Sequence, residues 1–156
     1  MPETGGMTLF RTIATVAATI TMGLAAGLFA TFSYAVMPGL RRTDDQAFVT
    51  AMRRINEAIL NGWFALCFGG ALVFTAVAAV AQRHGPALGW VVAALALYAV
   101  VLVVTFAVNV PLNNQLAAGG DRAAFEARWV RWNIARAAFS TAAFGCLVWA
   151  AMLTGV

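Results

Sequence analysis

Apolar positions run almost without interruption along this chain, and its few charged residues divide it into blocks. Uncharged stretches extend from Thr12 to Leu40, Ala58 to Gln82, His84 to Gly120 and Ala137 to Val156. Each reaches the roughly 20 residues that an α-helix needs to cross the hydrocarbon core of a bilayer at about 1.5 Å per residue. The pattern predicts four transmembrane helices, near 9–36, 59–81, 87–110 and 137–155, in one integral membrane domain covering 1–156. The first stretch follows Arg11, as the apolar core of a signal peptide would, but it stays apolar far beyond the roughly 7–15 residues of such a core and reads as a span.

The segments between spans are amphipathic. In the first connector Phe48, Met52, Ile55 and Ile59 recur at helical spacing, with Asn56 at the edge of the stripe and Arg53, Arg54 and Glu57 on the rest of the circumference. Thr43 followed by Gln46 has the form of a capping box, with Asp44 and Asp45 in the first turn. Nothing in the sequence interrupts this helix on its way into the second span. In the second connector Phe125, Trp129, Trp132 and Arg136 fall within an arc of about 60° at 100° per residue, and Asn133 lies beside them. The third span closes on Asn109-Val110-Pro111-Leu112-Asn113-Asn114, where Pro111 is expected to stop the helix and the asparagines to bond the freed carbonyls. Asn56, Asn109, Asn133 and Arg136 should then lie at one depth, in a shared polar pocket backed by apolar helices.

The fold expected is all-α: a four-helix transmembrane bundle with two connector helices that extend transmembrane helices 2 and 4 on one side. An offset of 77 pairs Ala47 with Ala124, Phe48 with Phe125, Arg54 with Arg131, Asn56 with Asn133 and Ala58 with Ala135. This faint parallel repeat implies two similar hairpin units related by an axis along the membrane normal. Gly23 and Gly27 form a G-x-x-x-G, a surface for close helix packing within the bundle or in a homodimer.

Composition supports a membrane protein. Of 156 residues, 62% are hydrophobic and 10% charged, against about 45–50% and 25% in soluble domains, more apolar surface than a small soluble core can hide. The net charge of +4 comes from ten arginines and six acids, and the arginines are not gathered into a basic tail of the kind that would suggest a nucleic-acid partner. Arg11 and Arg83 fall on one side of the membrane and the other eight on the opposite side. That asymmetry places 37–58 and 111–136 in the cytoplasm and both termini outside, with the lipid bilayer as the surrounding partner.

The residues present narrow the chemistry. His84 is the single histidine and lies in the opposite turn; Cys67 and Cys146 stand alone in separate spans. Neither a metal-ligand cluster nor a C-x-x-C is visible, and no G-x-G-x-x-G or Walker sequence occurs, so no cofactor is expected. A solute transporter would normally carry an acid within a span, and none here lies deeper than Glu57.

Four elements together carry a family likeness: Phe32-Ser33-Tyr34-Ala35-Val36-Met37-Pro38-Gly39-Leu40, Met52-Arg53-Arg54-Ile55-Asn56, Asn109-Val110-Pro111-Leu112-Asn113, and Trp129-Val130-Arg131-Trp132-Asn133-Ile134-Ala135-Arg136. The chain resembles the anthrone oxygenase-like family of small four-span membrane proteins over nearly its whole length. The resemblance implies oxidation of a planar aromatic, polyketide-type anthrone with O2 as co-substrate and no cofactor. It further implies that Arg136 and Asn133 stabilise an enolate oxygen, that Trp129 and Trp132 stack on the polycycle, and that Asn56, Asn109 and Asn113 complete the hydrogen bonding. Glu57 is the nearest carboxylate that could act as base, although its helical phase places it roughly opposite the Phe48 stripe. A second reading stays open at this point: a non-enzymatic accessory or scaffold protein whose connector helices bind a partner or lipid headgroups.

Overall fold

Continuous apolar stretches fold as helices because only intrasegment hydrogen bonds satisfy the backbone in lipid. The computed structural model describes residues 5–155, and among them every regular element is helical. Helix α1 runs Gly5–Leu40, α3 Gly62–Ala81, α4 Leu88–Ala117 and α5 Arg122–Leu153; all four are long and apolar enough to span a membrane. A shorter helix, α2, covers Asp45–Ala58 on the connector between α1 and α3.

Two expectations about helix ends are corrected. The first connector does not continue into the second span, because the chain leaves the helix at 59–61. Asn61 makes the break: its Nδ2 donates to the Ala58 carbonyl at 2.8 Å, and its Oδ1 accepts the Phe64 N–H at 3.0 Å, so one side chain closes α2 and caps α3. Only the second connector extends its span without a break, within α5. Pro111, in turn, does not stop the third span. A π-helical turn at Thr105–Asn109 immediately precedes it, and the helix continues to Ala117. The wider turn relieves the clash between the proline ring and the preceding turn, so the helix continues at the cost of the one hydrogen bond that the proline nitrogen cannot donate. The same device recurs in α1, where the π turn Phe32–Val36 precedes Met37-Pro38.

The bundle closes in the order α3, α1, α5, α4, with extensive packing at the first three interfaces and a much thinner contact between α3 and α4. Ala14, Ala18, Ala25, Ala71, Ala78, Ala94, Ala143 and Ala150 fill the core of the outer half, so the backbones approach closely without a large apolar driving force. Gly23 belongs to this packing: a Cβ there would meet the Phe144 ring at 2.9 Å, so Gly23 faces α5 and is not a free dimer surface, whereas Gly27 has open space.

The connector end is tied by Arg122. It donates to Thr43 O, Arg41 O, Asp45 Oδ1 and Glu126 Oε2, and its guanidinium lies 4.5 Å from the Phe48 ring centre. The loop after α1 is thereby fixed to α2 and α5. The cap of α2 is Asp44, whose Oδ1 accepts the Ala47 N–H at 2.8 Å; Thr43 donates instead to Leu40 O, so the capping box does not form. Asp121 caps α5 in the same way through Ala124, and it lies 77 residues on from Asp44. Repeat mates also meet directly, Phe48 against Phe125 edge-on and Asp45 against Arg122 at 3.2 Å, which gives the internal repeat a physical counterpart.

Gly23→Val should destabilise the bundle by about 1–3 kcal/mol through overpacking against Phe144, while Gly27→Ala should be close to neutral. Thermal unfolding in detergent micelles reads both.

Candidate functional site

The thin α3–α4 interface opens into a cavity of about 680 Å³ at the connector end of the bundle. All five helices line it. α1 contributes Phe29 and Phe32, α3 Phe64 and Phe68, α4 Thr105, Phe106, Asn109 and Asn113, and α5 Trp129 and Arg136, while Arg53, Asn56 and Glu57 of α2 close the end toward the connectors. Three π-helical turns, Phe32–Val36, Ala65–Gly69 and Thr105–Asn109, each place at least one residue on this wall. Such turns widen a helix locally and re-aim its side chains, and here they make room inside what would otherwise be close packing.

Arg136 is the central polar group. It is 7% exposed, and among the described residues no carboxylate pairs with it. Its Nη2 donates to Asn133 Oδ1 at 2.7 Å and its Nη1 to Thr105 Oγ1 at 3.4 Å, whereas Nε is buried without a partner. The guanidinium lies 4.5 Å from the Phe29 ring centre and 5.5 Å from that of Trp129, which hold it partly by cation–π attraction. A cation buried with two neutral acceptors and two aromatic faces is under-compensated, and an anionic oxygen on a ligand would complete it.

Asn133 does not itself line the cavity. Its Oδ1 accepts from Arg136, and its Nδ2 donates to Phe29 O at 3.0 Å and Ser33 Oγ at 2.9 Å, so it fastens α5 to α1 and orients the guanidinium. Asn133, expected to face a ligand oxygen, is instead off the cavity wall with its amide committed to Arg136, Phe29 and Ser33. Trp132 is also displaced from its expected place. It is 38% exposed and off the cavity wall, on the outer side of α5. Although the 60° arc includes it, the cavity meets only Trp129 and Arg136 of that face.

The two asparagines around Pro111 have a shared task that differs from bonding freed carbonyls. Asn113 Oδ1 accepts the Trp129 indole N–H at 2.8 Å, and Asn109 Nδ2 donates to Trp129 O at 3.4 Å. Four residues apart on α4, they grip one tryptophan and hold its ring against Phe32 and Phe125. Asn109 is 1% exposed and its Oδ1 has no partner; the amide orientation is fixed, because the reverse would set oxygen against oxygen at Trp129. Asn56 lines the cavity as expected, and so does Glu57, contrary to its helical phase. The break at 59–61 explains the difference, since the end of α2 overhangs the opening and presents more of its circumference to it. Arg53 donates through Nε and Nη2 to Leu116 O, closing the end of α4.

The aromatic wall was missed by sequence reasoning. Phe68 stacks on Phe64 at 5.1 Å and meets Phe29, Tyr98 and Phe106 edge-on, and Tyr98 donates to the Phe68 carbonyl at 2.8 Å. The spacing of Phe64 and Phe68 places them on one face, a signal that exists in the sequence but is shared by any lipid-facing pair. Cys67 and Cys146 are free and partly buried. Among the described residues no group of three or more His, Cys, Asp or Glu side chains comes together that could hold a metal ion.

A family model described as anthrone oxygenase matches residues 54–146, more than half of the chain. The chain belongs to the anthrone oxygenase family. The matched segment carries Asn56, Asn109, Trp129 and Arg136, while Phe29 and Phe32 lie ahead of it. No curated protein and no solved structure matches the chain.

Replacing Arg136 by Leu removes a buried charge with no counter-ion and should leave the melting temperature unchanged or raised. Asn133→Leu takes the guanidinium's best acceptor and should destabilise by about 1–3 kcal/mol. Thermal unfolding of the two purified variants beside the parent checks the contrast.

Proposed function

We propose that this anthrone oxygenase family member is a membrane monooxygenase that oxidises a planar aromatic, polyketide-type anthrone with O2, without a cofactor, in the cavity between α3 and α4. The observation that carries the reading is a buried arginine with no acid partner, set between aromatic rings at the end of a cavity of about 680 Å³. That volume is within the roughly 300–1,000 Å³ of small-ligand sites, and its walls are mainly aromatic and aliphatic. A scaffold protein has no use for such a chamber.

The chemistry suits the residues. The methylene of an anthrone is acidic because its conjugate base is an enolate with charge on oxygen. Arg136 is preorganised to receive that oxygen, with its orientation set by Asn133, so the anion forms against a donor that need not reorganise. Trp129, Phe29 and Phe68 supply flat faces for the rings, and Asn109 Oδ1 offers an acceptor to a ligand hydroxyl. Glu57 is the one carboxylate on the wall among the described residues and takes the proton. The enolate passes one electron to O2, the radical and superoxide combine with uptake of a proton as a hydroperoxide at the former methylene carbon, and loss of water leaves the quinone carbonyl. One oxygen atom ends in the product and the other in water, so the anthrone itself supplies the electrons. The excess of arginines in the connectors, Arg53 and Arg136 of the wall set aside, supports a cytoplasmic position for this end of the bundle.

Membranes containing the protein should take up O2 and form anthraquinone when anthrone is added. Arg136→Leu should lower that rate about 100-fold or more, and a rate equal to the parent's would remove the arginine from the reaction. Glu57→Gln should lower kcat about tenfold or more, and an unchanged kcat would assign the proton transfer elsewhere.

A further inference from the structure

The rim of the cavity has two chemically different parts. Toward the connectors it carries Glu57, Asn114 and Ala117; farther along the bundle it carries Leu60, Ala65 and Phe106. Leu60 is 77% exposed and Phe106 64%; both border the thinner α3–α4 interface, where Phe106 meets the Phe68 ring edge-on. Ala65 and Phe106 lie on two helices that are long and apolar enough to span a bilayer, and Leu60 stands two residues ahead of α3, at the connector edge of that slot. Leu60 stands there because the chain leaves the helix at 59–61; had α2 continued into α3, a helical turn would occupy that edge of the slot.

We infer that the site is loaded sideways from the bilayer: a planar apolar polycycle dissolved in the membrane passes between α3 and α4 at Leu60 and Phe106, and the polar rim is not its way in. This rests on the reading of the cavity as a site for such a ligand. The physical argument is partition. A fused polycycle with few polar groups concentrates in the hydrocarbon phase because each buried apolar group favours lipid over water. A lateral slot draws on that concentrated pool, whereas the polar rim, crossed by Arg53 on its way to Leu116, opens toward water where the ligand is scarce. The inner end of the path is Arg136, so a ligand sliding in edge-first delivers its oxygen to the guanidinium while its rings remain among Phe64, Phe68 and Trp129.

The test uses single cysteines at 60, 106, 114 and 103 in a Cys67→Ala, Cys146→Ala background, reconstituted in vesicles. Each preparation is measured before and after reaction with a bulky membrane-permeant maleimide, so it is its own control for folding. The readout is the rate at which anthraquinone, which cannot be oxidised further at its carbonyls, quenches Trp129, the one tryptophan on the cavity wall, with Trp63, Trp90, Trp132 and Trp149 replaced by phenylalanine. Labelling Leu60→Cys or Phe106→Cys should slow association about tenfold or more. Labelling Asn114→Cys at the polar rim, or Val103→Cys on the lipid-facing side of α4, should change it less than twofold. Slowing at 114 with none at 60 or 106 would overturn the lateral route in favour of loading from water. Equal effects at all four positions, or none at any, would overturn it as well. Absence of quenching in every unlabelled preparation would instead refute the ligand reading, and the route with it.

Discussion

A guanidinium buried in a membrane-spanning bundle cannot be left to itself, and the arrangement around Arg136 follows from that constraint. With no carboxylate beside it, the charge must be shared among neutral acceptors and ring faces. Asn133 supplies the best acceptor, and its amide is committed on the other side to Phe29 O and Ser33 Oγ, so the cation is anchored through α5 to α1. Thr105 supplies the second acceptor from α4. Trp129 must stay in place for its face to count, and Asn109 and Asn113 hold it from the same helix. Three of the four long helices are thus tied together by groups that serve one charge. A full counter-ion would have satisfied the arginine and removed any reason for it to bind a ligand.

Room for a ligand next to that charge conflicts with the way the rest of the bundle is built. Elsewhere the helices approach on alanine and glycine, as at Gly23 against Phe144, which leaves no space. Wide turns in α1, α3 and α4 occur at the cavity, while α5, which carries the arginine, stays regular from Arg122 to Leu153. The division makes physical sense. The helix that positions the charge keeps the most rigid geometry, and the helices that form the walls absorb the irregularity. In α1 and α4 the wide turns also let proline be carried without ending the helix, so Pro38 and Pro111 mark the places where the walls bend.

Helix number, approximate spans and the meeting of Asn56, Asn109 and Arg136 at one end were legible in the sequence because they depend on run length and period alone. Helix ends were less legible. Pro111 reads as a stop when only an α-helix is considered, since the clash it causes disappears in a turn of a different pitch. Asn61, the residue that breaks the connector, looks like any polar residue at a membrane edge until its two amide atoms are seen to close one helix and open the next. Within the site, period alone grouped Trp132 with Trp129; which edge of that face meets the cavity depends on where α1 and α4 sit, and a single helix does not encode it. The phenylalanines of the wall stayed hidden for a related reason, because in an apolar span a ring that faces a chamber and one that faces lipid have the same neighbours in sequence.

The internal repeat bears on why the cavity between α3 and α4 opens beside the first unit. Asp44 and Asp121 cap their helices identically, and Phe48 meets its mate Phe125, so the two connectors start alike. Farther along, Met52 corresponds to Trp129, Asn56 to Asn133 and Ile59 to Arg136. In the second unit the helix runs on past these positions, and Asn133 is enclosed and committed to its neighbours. In the first unit it breaks directly after Ile59, the partner helix starts again at Gly62, and Asn56 is left on an open wall. One unit supplies a continuous helix to hold the charge, and the other supplies the gap beside which the cavity opens. The cavity thus opens at the place where the two units differ, at the break after Ile59 that has no counterpart in α5.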